Sequence, residues 1–257
     1  MSKNNDVLAI GTRGFSERNF IVSTNVLYTH YPIHNHDCVE LEYVLKGYGT
    51  TIINGKKHSF SDGTLCLCTN TDFHELFPGC ECSFLNINIK TECIAPEILI
   101  SLSDAVLIQN YDRTLIDKIN YEYKYLNTKS DMYFKNLINR ILIDCVHKIK
   151  PDMKDEQYAK LSAPVGKAIQ IIHRRFSENI SLDGIAEAVE LSPNYFSTKF
   201  HNEVKVSFQS YLLNMRLEAA RKYLIATDYS VTDLCFFVGF NNYVNFSKAF
   251  KKRYGVT

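Results

Sequence analysis

Two periodicities divide this chain. From residue 20 to about 90, apolar and polar positions alternate as in half-buried strands; from about 111 onward, apolar positions recur at three- and four-residue steps as along helices. VELEYVL (39–45) alternates strictly, TTII (50–53) reads as a strand, Asn54-Gly55 as a hairpin turn, and TLCLCT (64–69) and FLNINI (84–89) alternate again. Short strands at such close spacing predict a small barrel or sandwich. Residues 1–14 read as an irregular lead-in. If Val39, Leu41, Tyr43 and Leu45 face a core, Glu40 and Glu42 face solvent, unless the sheet is covered on both sides.

After Pro96 the texture turns helical, over 111–127 and 130–150, where Phe134, Leu137, Ile138, Ile141, Leu142 and Cys145 form an apolar stripe. That stripe serves either to cover the strands or to pair subunits. Pro151 ends the helix, and 151–163 is charged and linker-like. A helix from Ala163 to Ser177 then buries Val165, Ala168, Ile169 and Ile172. His173, Arg174 and Arg175 near its end suit the helix dipole as readily as a phosphate contact.

The last third repeats itself. Leu182, Ile185, Ala186 and Val189 stripe a short helix that stops at Glu190-Leu191; Ser192 as N-cap and Pro193 at the first position start another, with Phe196 and Phe200 turned inward. Ser230 and Asp233 form a capping box for a helix carrying Val231, Leu234, Cys235 and Val238, Gly239 makes the turn, and Phe246 and Phe250 repeat the phenylalanine pair. The first helices match at an offset of 49 and the second at about 50. Between the two units, 207–226 keeps helical spacing over about five turns. This is the outline of two helix-turn-helices on a stiff connector, and a separation near ~34 Å lets both enter consecutive major-groove faces of one duplex.

The phrases LSPNYFSTKF, YLLNMRLEAARKYL, VTDLCFFVGF and NFSKAFKKRYGVT make residues 164–257 resemble the AraC/XylS family of bacterial transcription regulators. Glu190 and Lys205 stand where that family often has Gly, and the chain ends at Val256-Thr257 where its pattern usually continues, so a frayed last helix is expected. The resemblance implies a promoter DNA partner, RNA polymerase, a homodimer, and an N-terminal domain that binds a small effector.

Composition changes this picture in two places. Net charge is only +1, but residues 164–257 carry 12 Lys/Arg against 8 Asp/Glu while the remainder carries 17 against 20, a modest asymmetry that fits DNA binding by the last third. No apolar run reaches a membrane span of ~18 residues and the start is polar, so a cytoplasmic protein without membrane contact is expected. Eight cysteines are then expected reduced, and the pairs Cys66/Cys68 and Cys80/Cys82 read as small buried apolar groups before a thiol sensor.

The N-terminal part also resembles the two cupin motifs: His34-x-His36-x3-Glu40-x6-Gly47, then Gly63 and His74, without the usual Pro-x-Gly before the last histidine. In metal-binding cupins such groups converge on a divalent ion, and imidazole with carboxylate suits zinc, iron, manganese or nickel. The resemblance leaves a divalent metal or a polar effector pocket open at His34, His36, Glu40 and His74; no cofactor is required by the sequence. In the DNA-binding part, inward Phe196 and Phe200 leave Asn194, Ser197, Thr198 and His201 to the groove, the first three toward bases and His201 toward phosphate. Val244, Ser247 and Lys248 are the equivalent base-facing positions, and Lys251, Lys252 and Arg253 are assigned to phosphates.

The expectation is thus an α+β chain: a cupin-like β-barrel (15–108), a helical pair (109–150), a linker (151–163) and an all-α DNA-binding domain (164–257) with helix-turn-helix units at about 182–201 and 231–251 joined by a linker helix, 207–226. It is read as a non-enzymatic, effector-controlled regulator, of which an activator is one form. The alternatives are a metal- or thiol-sensing regulator and a cupin metalloenzyme with a DNA-binding appendage.

Overall fold

The computed structural model describes residues 8–10, 19–126, 131–151 and 161–256. The chain divides into two compact units, Met1–Asp155 and Glu156–Thr257, of mixed α+β and all-α character. Most of the predicted linker, 152–160, lies outside the described residues, as do 127–130, the end of one predicted helix and the start of the next.

The first unit has strands β1 (Leu8–Ile10), β2 (Phe20–Leu27), β3 (Tyr31–His36), β4 (Val39–Lys46), β5 (Tyr48–Ile53), β6 (Lys56–Ser61), β7 (Leu65–Cys68), β8 (His74–Pro78), β9 (Cys82–Ile89) and β10 (Val106–Ile108). They form two five-stranded sheets, β1-β3-β8-β5-β6 and β10-β7-β4-β9-β2. Pairing is antiparallel except for β1 along β3. That strand corrects the reading of 1–14 as irregular: three residues are too few to show a period, and β3 supplies their hydrogen bonds. Asn54 and Gly55 turn β5 into β6 with φ of 49° and 76°, the left-handed pair that a two-residue hairpin requires.

The strand β4 settles which way the alternation faces. It lies between β7 and β9, with Glu40 opposite Cys68 and Asn88, and Glu42 opposite Cys66 and Asn86. These six therefore share one face, while Val39, Leu41 and Tyr43 share the other with Leu65, Leu67, Leu85, Ile87 and Ile89. Both faces are buried, with Glu40 only 3% and Leu41 0% exposed. Glu40 and Glu42 do not face solvent, because this sheet is covered twice: the polar face looks onto the other sheet, and helices cover the apolar face. Those helices are α1 (Pro96–Leu99), α2 (Arg113–Tyr121) and α3 (Asp131–Ile149). The whole predicted stripe of α3 is buried, and Phe134 stacks on Phe20 of β2 at 4.8 Å. The stripe is therefore occupied within the chain.

The second unit comprises α4 (Ala163–Arg175), α5 (Leu182–Ala188), α6 (Pro193–Val204), α7 (Phe208–Ala226), α8 (Val231–Phe237) and α9 (Tyr243–Tyr254). Residues 182 and 231 begin α5 and α8, 49 apart; 193 and 243 begin α6 and α9, 50 apart. Ser181 and Ser230 each accept the N–H three residues on, and the Ser230 hydroxyl donates to the Asp233 carboxylate. Ser192 stands at the α6 N-cap but makes no side-chain cap bond, whereas Asn242 caps α9 through Val244 and Asn245 N–H. Phe196, Phe200 and Phe208 pack with centroids 5.6–6.2 Å apart, and Phe240, Phe246 and Phe250 make the second such cluster. The last helix, expected to fray, is closed: Gly255 takes φ 78° and its N–H bonds the Lys251 carbonyl.

The repeat reaches the backbone. The second residue past each first helix is left-handed, Glu190 (φ 60°) and Gly239 (φ 94°), and so is the residue closing each second helix, Lys205 (φ 68°) and Gly255 (φ 78°). An L side chain in this region costs about 1 kcal/mol, which glycine avoids. At Gly239 space is also short: a Cβ would lie 2.7 Å from the Ser177 carbonyl oxygen and 2.9 Å from Arg216 Nε. Arg216 itself donates to the Phe176 and Glu178 carbonyls at 2.7 Å, tying the α4–α5 loop to α7. Lys205→Gly is therefore expected to stabilise the second unit by about 0.5–1 kcal/mol, and Gly239→Ala to destabilise it by about 2 kcal/mol or more, measured by urea unfolding of the full chain.

Candidate functional site

The first site forms where the two sheets face one another. Residues 34 and 74 are cross-strand neighbours on β3 and β8, and their rings lie 4.1 Å apart. His36, two residues along β3, points the same way, and Glu40 reaches them from the opposing sheet. His36 Nε2 is 3.0 Å and His74 Nε2 3.3 Å from one oxygen of Glu40. His34 Nδ1 lies 2.8 Å from the Pro32 carbonyl, which can only accept, so Nδ1 carries the proton and Nε2 keeps its lone pair. The Asn86 amide donates to Glu40 at 2.9 Å and to Glu42 at 3.4 Å.

Burial sets the charges. Desolvation, with the neighbouring His74 charge, pushes His34 down to about 3, so it is neutral. Burial alone would raise Glu40, but the two imidazoles beside it win and hold it well below the carboxylate range. Burial would likewise lower His74, yet Glu40, Glu42 and Asp72 outweigh it and raise it. At Glu42 burial and the charge of Glu40 outweigh His74 and the Asn86 hydrogen bond and push it up to about 7.

This arrangement fits a cation. One ligand atom from each of His34, His36, Glu40 and His74 lies within 4.8 Å of the others, against about 3.4 Å for a tetrahedron with bonds of about 2.1 Å. One buried atom, His74 Nδ1, has no hydrogen-bond partner, and the Pro32 carbonyl orients His34 as carbonyls orient metal-bound histidines. Beside the cluster is a cavity of about 360 Å³ lined by His34, His36, Glu40, Glu42, Asn86, Asn88, Ser23, Asn25 and apolar Leu27, Leu76 and Phe84. Its described lining includes two carboxylates and no lysine or arginine.

The sequence pattern singled out all four of the clustered groups but missed Glu42, Asn86, Asn88, Ser23 and Asn25. The asparagines could have been found: in FLNINI they take the same alternate positions, and a polar pair inside an apolar strand needs a polar partner face.

The second site is the outer surface of α6 and α9. Asn194, Thr198 and His201 are exposed on α6, while Ser197 is half-buried. Thr198 is itself bonded to the Asn194 carbonyl at 3.0 Å. On α9, Val244 and Lys248 are exposed, and Ser247 is half-buried at a cavity with Leu224, Ile225 and Val231. Lys251 and Lys252 are exposed. Arg253 is engaged within the unit, donating to Asn214 at 2.6 Å and reaching Glu218 at 3.4 Å. Tyr195, Asn202 and Asn245 share the exposed surface and were not singled out by sequence; an asparagine one position beyond the expected stripe carries no periodic signal.

Comparisons with known proteins bear on the second unit most directly. Residues 185–257 match a family profile described as "Helix-turn-helix domain". The chain is 23% identical over 244 residues to the HTH-type transcriptional activator RhaS of Yersinia pestis bv. Antiqua (strain Angola), covering 87% of this chain and 86% of that protein. It is 36% identical over 103 residues to the uncharacterized HTH-type transcriptional regulator YtdP of Bacillus subtilis (strain 168); this covers 40% of the present chain but 13% of that relative. Among solved structures, the C-terminal domain of AraT, a response regulator from Geobacillus stearothermophilus, covers 38% of this chain and 82% of that one at 34% identity, with a TM-score of 0.37. No helix among the described residues is long and apolar enough to cross a membrane. The chain is a DNA-binding transcription regulator built on helix-turn-helix units. The helix-turn-helix match over residues 185–257 agrees with the resemblance of this part of the chain to the AraC/XylS family.

Glu40 is the counter-charge for the buried His74 imidazole and a hydrogen-bond partner of His36, so Glu40→Gln is expected to destabilise the cation-free first unit by about 3 kcal/mol. The penalty should grow as pH falls from 8 to 6. With Glu40 gone, the folded state keeps His74 neutral while the unfolded chain protonates it below about 6.5, so stability drops with pH. Urea unfolding of both proteins at the two pH values, in the presence of chelator, checks the magnitude and the sign.

Proposed function

We propose that the first unit is a cupin-like sensing domain: His34, His36, Glu40 and His74 hold a divalent cation, and the adjoining cavity takes a small polar effector. Occupancy there governs how the second unit binds its promoter. The observation that carries this reading is the convergence of four ligand atoms, all within 4.8 Å of one another, at the wall of a cavity. A divalent cation bound there would supply a Lewis-acidic position open to an oxygen or nitrogen donor of the effector. The protein's own part is to orient His34 through Pro32, to hold Glu40 ionised, and to present Asn86, Asn88, Ser23 and Asn25 to hydroxyl or amine groups. Without lysine or arginine in the described lining, the cavity favours neutral or cationic molecules over simple anions.

The barrel senses and does not catalyse in this reading, and the protein acts in the cytoplasm as a homodimer that contacts RNA polymerase when it activates. On DNA, Asn194, Ser197 and Thr198 read base edges together with Val244, Ser247 and Lys248, while His201, Lys251, Lys252 and Arg253 hold phosphates. Occupancy biases the DNA-binding units between two arrangements on the duplex.

Two measurements test this. Purified protein should carry about one divalent ion per chain, lose it on His36→Ala, and bind its own upstream DNA differently once chelator is added. Chelator-indifferent DNA binding by a metal-free protein would leave an organic effector as the sole regulator. On DNA, Asn194→Ala should cost about 1–3 kcal/mol at particular base pairs, whereas Lys251→Ala should weaken all sequences alike and lower the salt slope by about 1. A uniform loss with Asn194→Ala would show that α6 faces the groove differently.

A further inference from the structure

Two Cys-x-Cys pairs bring sulfur against sulfur: Cys66 and Cys68 Sγ are 3.9 Å apart, and Cys80 and Cys82 Sγ 4.0 Å apart. Their surroundings differ. Cys66 and Cys68 lie inside β7 with both side chains buried. There the extended backbone sets alternate Cα atoms about 6.6 Å apart, close to the upper limit of about 6.8 Å for a disulfide. Cys80 is exposed on the turn between β8 and β9, and Cys82 lies under it at 0% exposure, the first residue of β9. The chain bends at Gly79 and Cys80, so no extended-strand restriction holds these two apart. One thiol of this pair meets solvent and the other waits behind it, the arrangement of an attacking and a resolving cysteine.

We propose that Cys80 and Cys82 are a reversible dithiol–disulfide switch responding to low-molecular-weight disulfides. The Cys80 thiolate attacks one sulfur of the small disulfide, whose S–S bond breaks and releases one small thiolate. The Cys82 thiolate then attacks the Cys80 sulfur, the mixed disulfide breaks, and a second small thiolate leaves. Two protein thiols are oxidised, one small disulfide is reduced to two thiols, and the two protons pass to the departing thiolates.

The switch has somewhere to act. Cys82 donates to the Tyr48 carbonyl at 3.3 Å and sits so close to Gly47 that a Cβ there would lie 2.6 Å from the sulfur. It also belongs to a core cluster with Leu76 and Phe84, two of the apolar residues lining the cavity beside His34 and Glu40. Closing the S–S bond draws the sulfurs together by about 2 Å. That breaks the bond to Tyr48 and opens space behind Leu76 and Phe84. The cross-link depends on the two cysteines alone, so it stands or falls separately from the sensing role of the cavity.

The full chain, exposed to glutathione disulfide under native conditions, is followed by peptide mass mapping. The expected result is loss of two hydrogens on the segment containing Cys80 and Cys82, reversed by dithiothreitol, with Cys66 and Cys68 modified at least about tenfold more slowly because they are buried. Cys82→Ser should instead retain one glutathione on Cys80, since the resolving thiol is missing, and Cys80→Ser, altered only at the surface, should leave Cys82 reduced. A wild-type protein that keeps glutathione on Cys80, stays fully reduced, or oxidises Cys66 and Cys68 first would overturn the proposal.

Discussion

A carboxylate buried in the middle of a strand constrains the whole first unit. Glu40 sits on β4 between two partner strands, and a charged group there is tolerated only with counter-charge and hydrogen bonds at hand. The other sheet must therefore face it with polar groups, and does so with His36 and His74. Asn86, from the neighbouring strand of its own sheet, completes its partners. Because the polar face is spent in this way, the apolar face of the same sheet has to find its cover elsewhere. It finds it in the helices after Pro96, down to the stacking of Phe134 on Phe20. The cavity is what remains where polar side chains meet between sheets and do not close-pack. A group of opposite charge completes the arrangement: a proton shared by the imidazoles, or a cation.

In the second unit the corresponding constraint is a repeated backbone. Two pairs of short helices need a left-handed residue after the first helix and another after the second, whatever side chain occupies the place. The second copy meets the requirement with Gly239 and Gly255, the first with Glu190 and Lys205. Only Gly239 is also enclosed, against Ser177 and Arg216. The side chains of Glu190 and Lys205 stand in solvent, so the first copy carries backbone strain without steric conflict. The geometry is thus kept by the turn's hydrogen bonds, such as Leu191 N–H to the Ala186 carbonyl and Phe240 N–H to the Cys235 carbonyl, rather than by glycine itself.

Legibility in the sequence followed the strength of each physical signal. The second unit was readable almost throughout, since capping serines, inward phenylalanines and offsets of 49 and 50 all point to one arrangement. In the first unit, alternation gave the parity of VELEYVL but not which face met water, because a strand buried on both faces keeps the same alternation as a half-buried one. Glu42 and the asparagines were missed for that reason, and β1 for its shortness. His34, His36, Glu40 and His74 were legible only through spacing; nothing in composition distinguishes a ligand histidine from a surface one. The last helix does not fray as expected from a pattern that usually continues past Val256-Thr257, because the left-handed conformation of Gly255 closes it.

The exposed faces of α6 and α9, proposed above to meet DNA, differ in what they have left to offer a duplex. On α6, Lys199 is paired with Glu203 at 3.0 Å and the Lys205 ammonium donates to the Asn202 carbonyl, so the exposed face is chiefly amide, hydroxyl and imidazole. On α9, Lys248, Lys251 and Lys252 form no ion pair among the described residues, while Arg253 is held by Asn214 and Glu218. Hydrogen-bonding groups discriminate bases; mobile ammonium groups displace counterions with little regard to sequence. A modest net charge of +4 over residues 164–257 is then no argument against DNA binding, since its free cations are concentrated on one helix. In the proposed complex, α9 contributes most of the salt-dependent affinity and α6 most of the sequence preference. The connector α7, about 28 Å long at 1.5 Å per residue, holds those two contributions on one rigid frame.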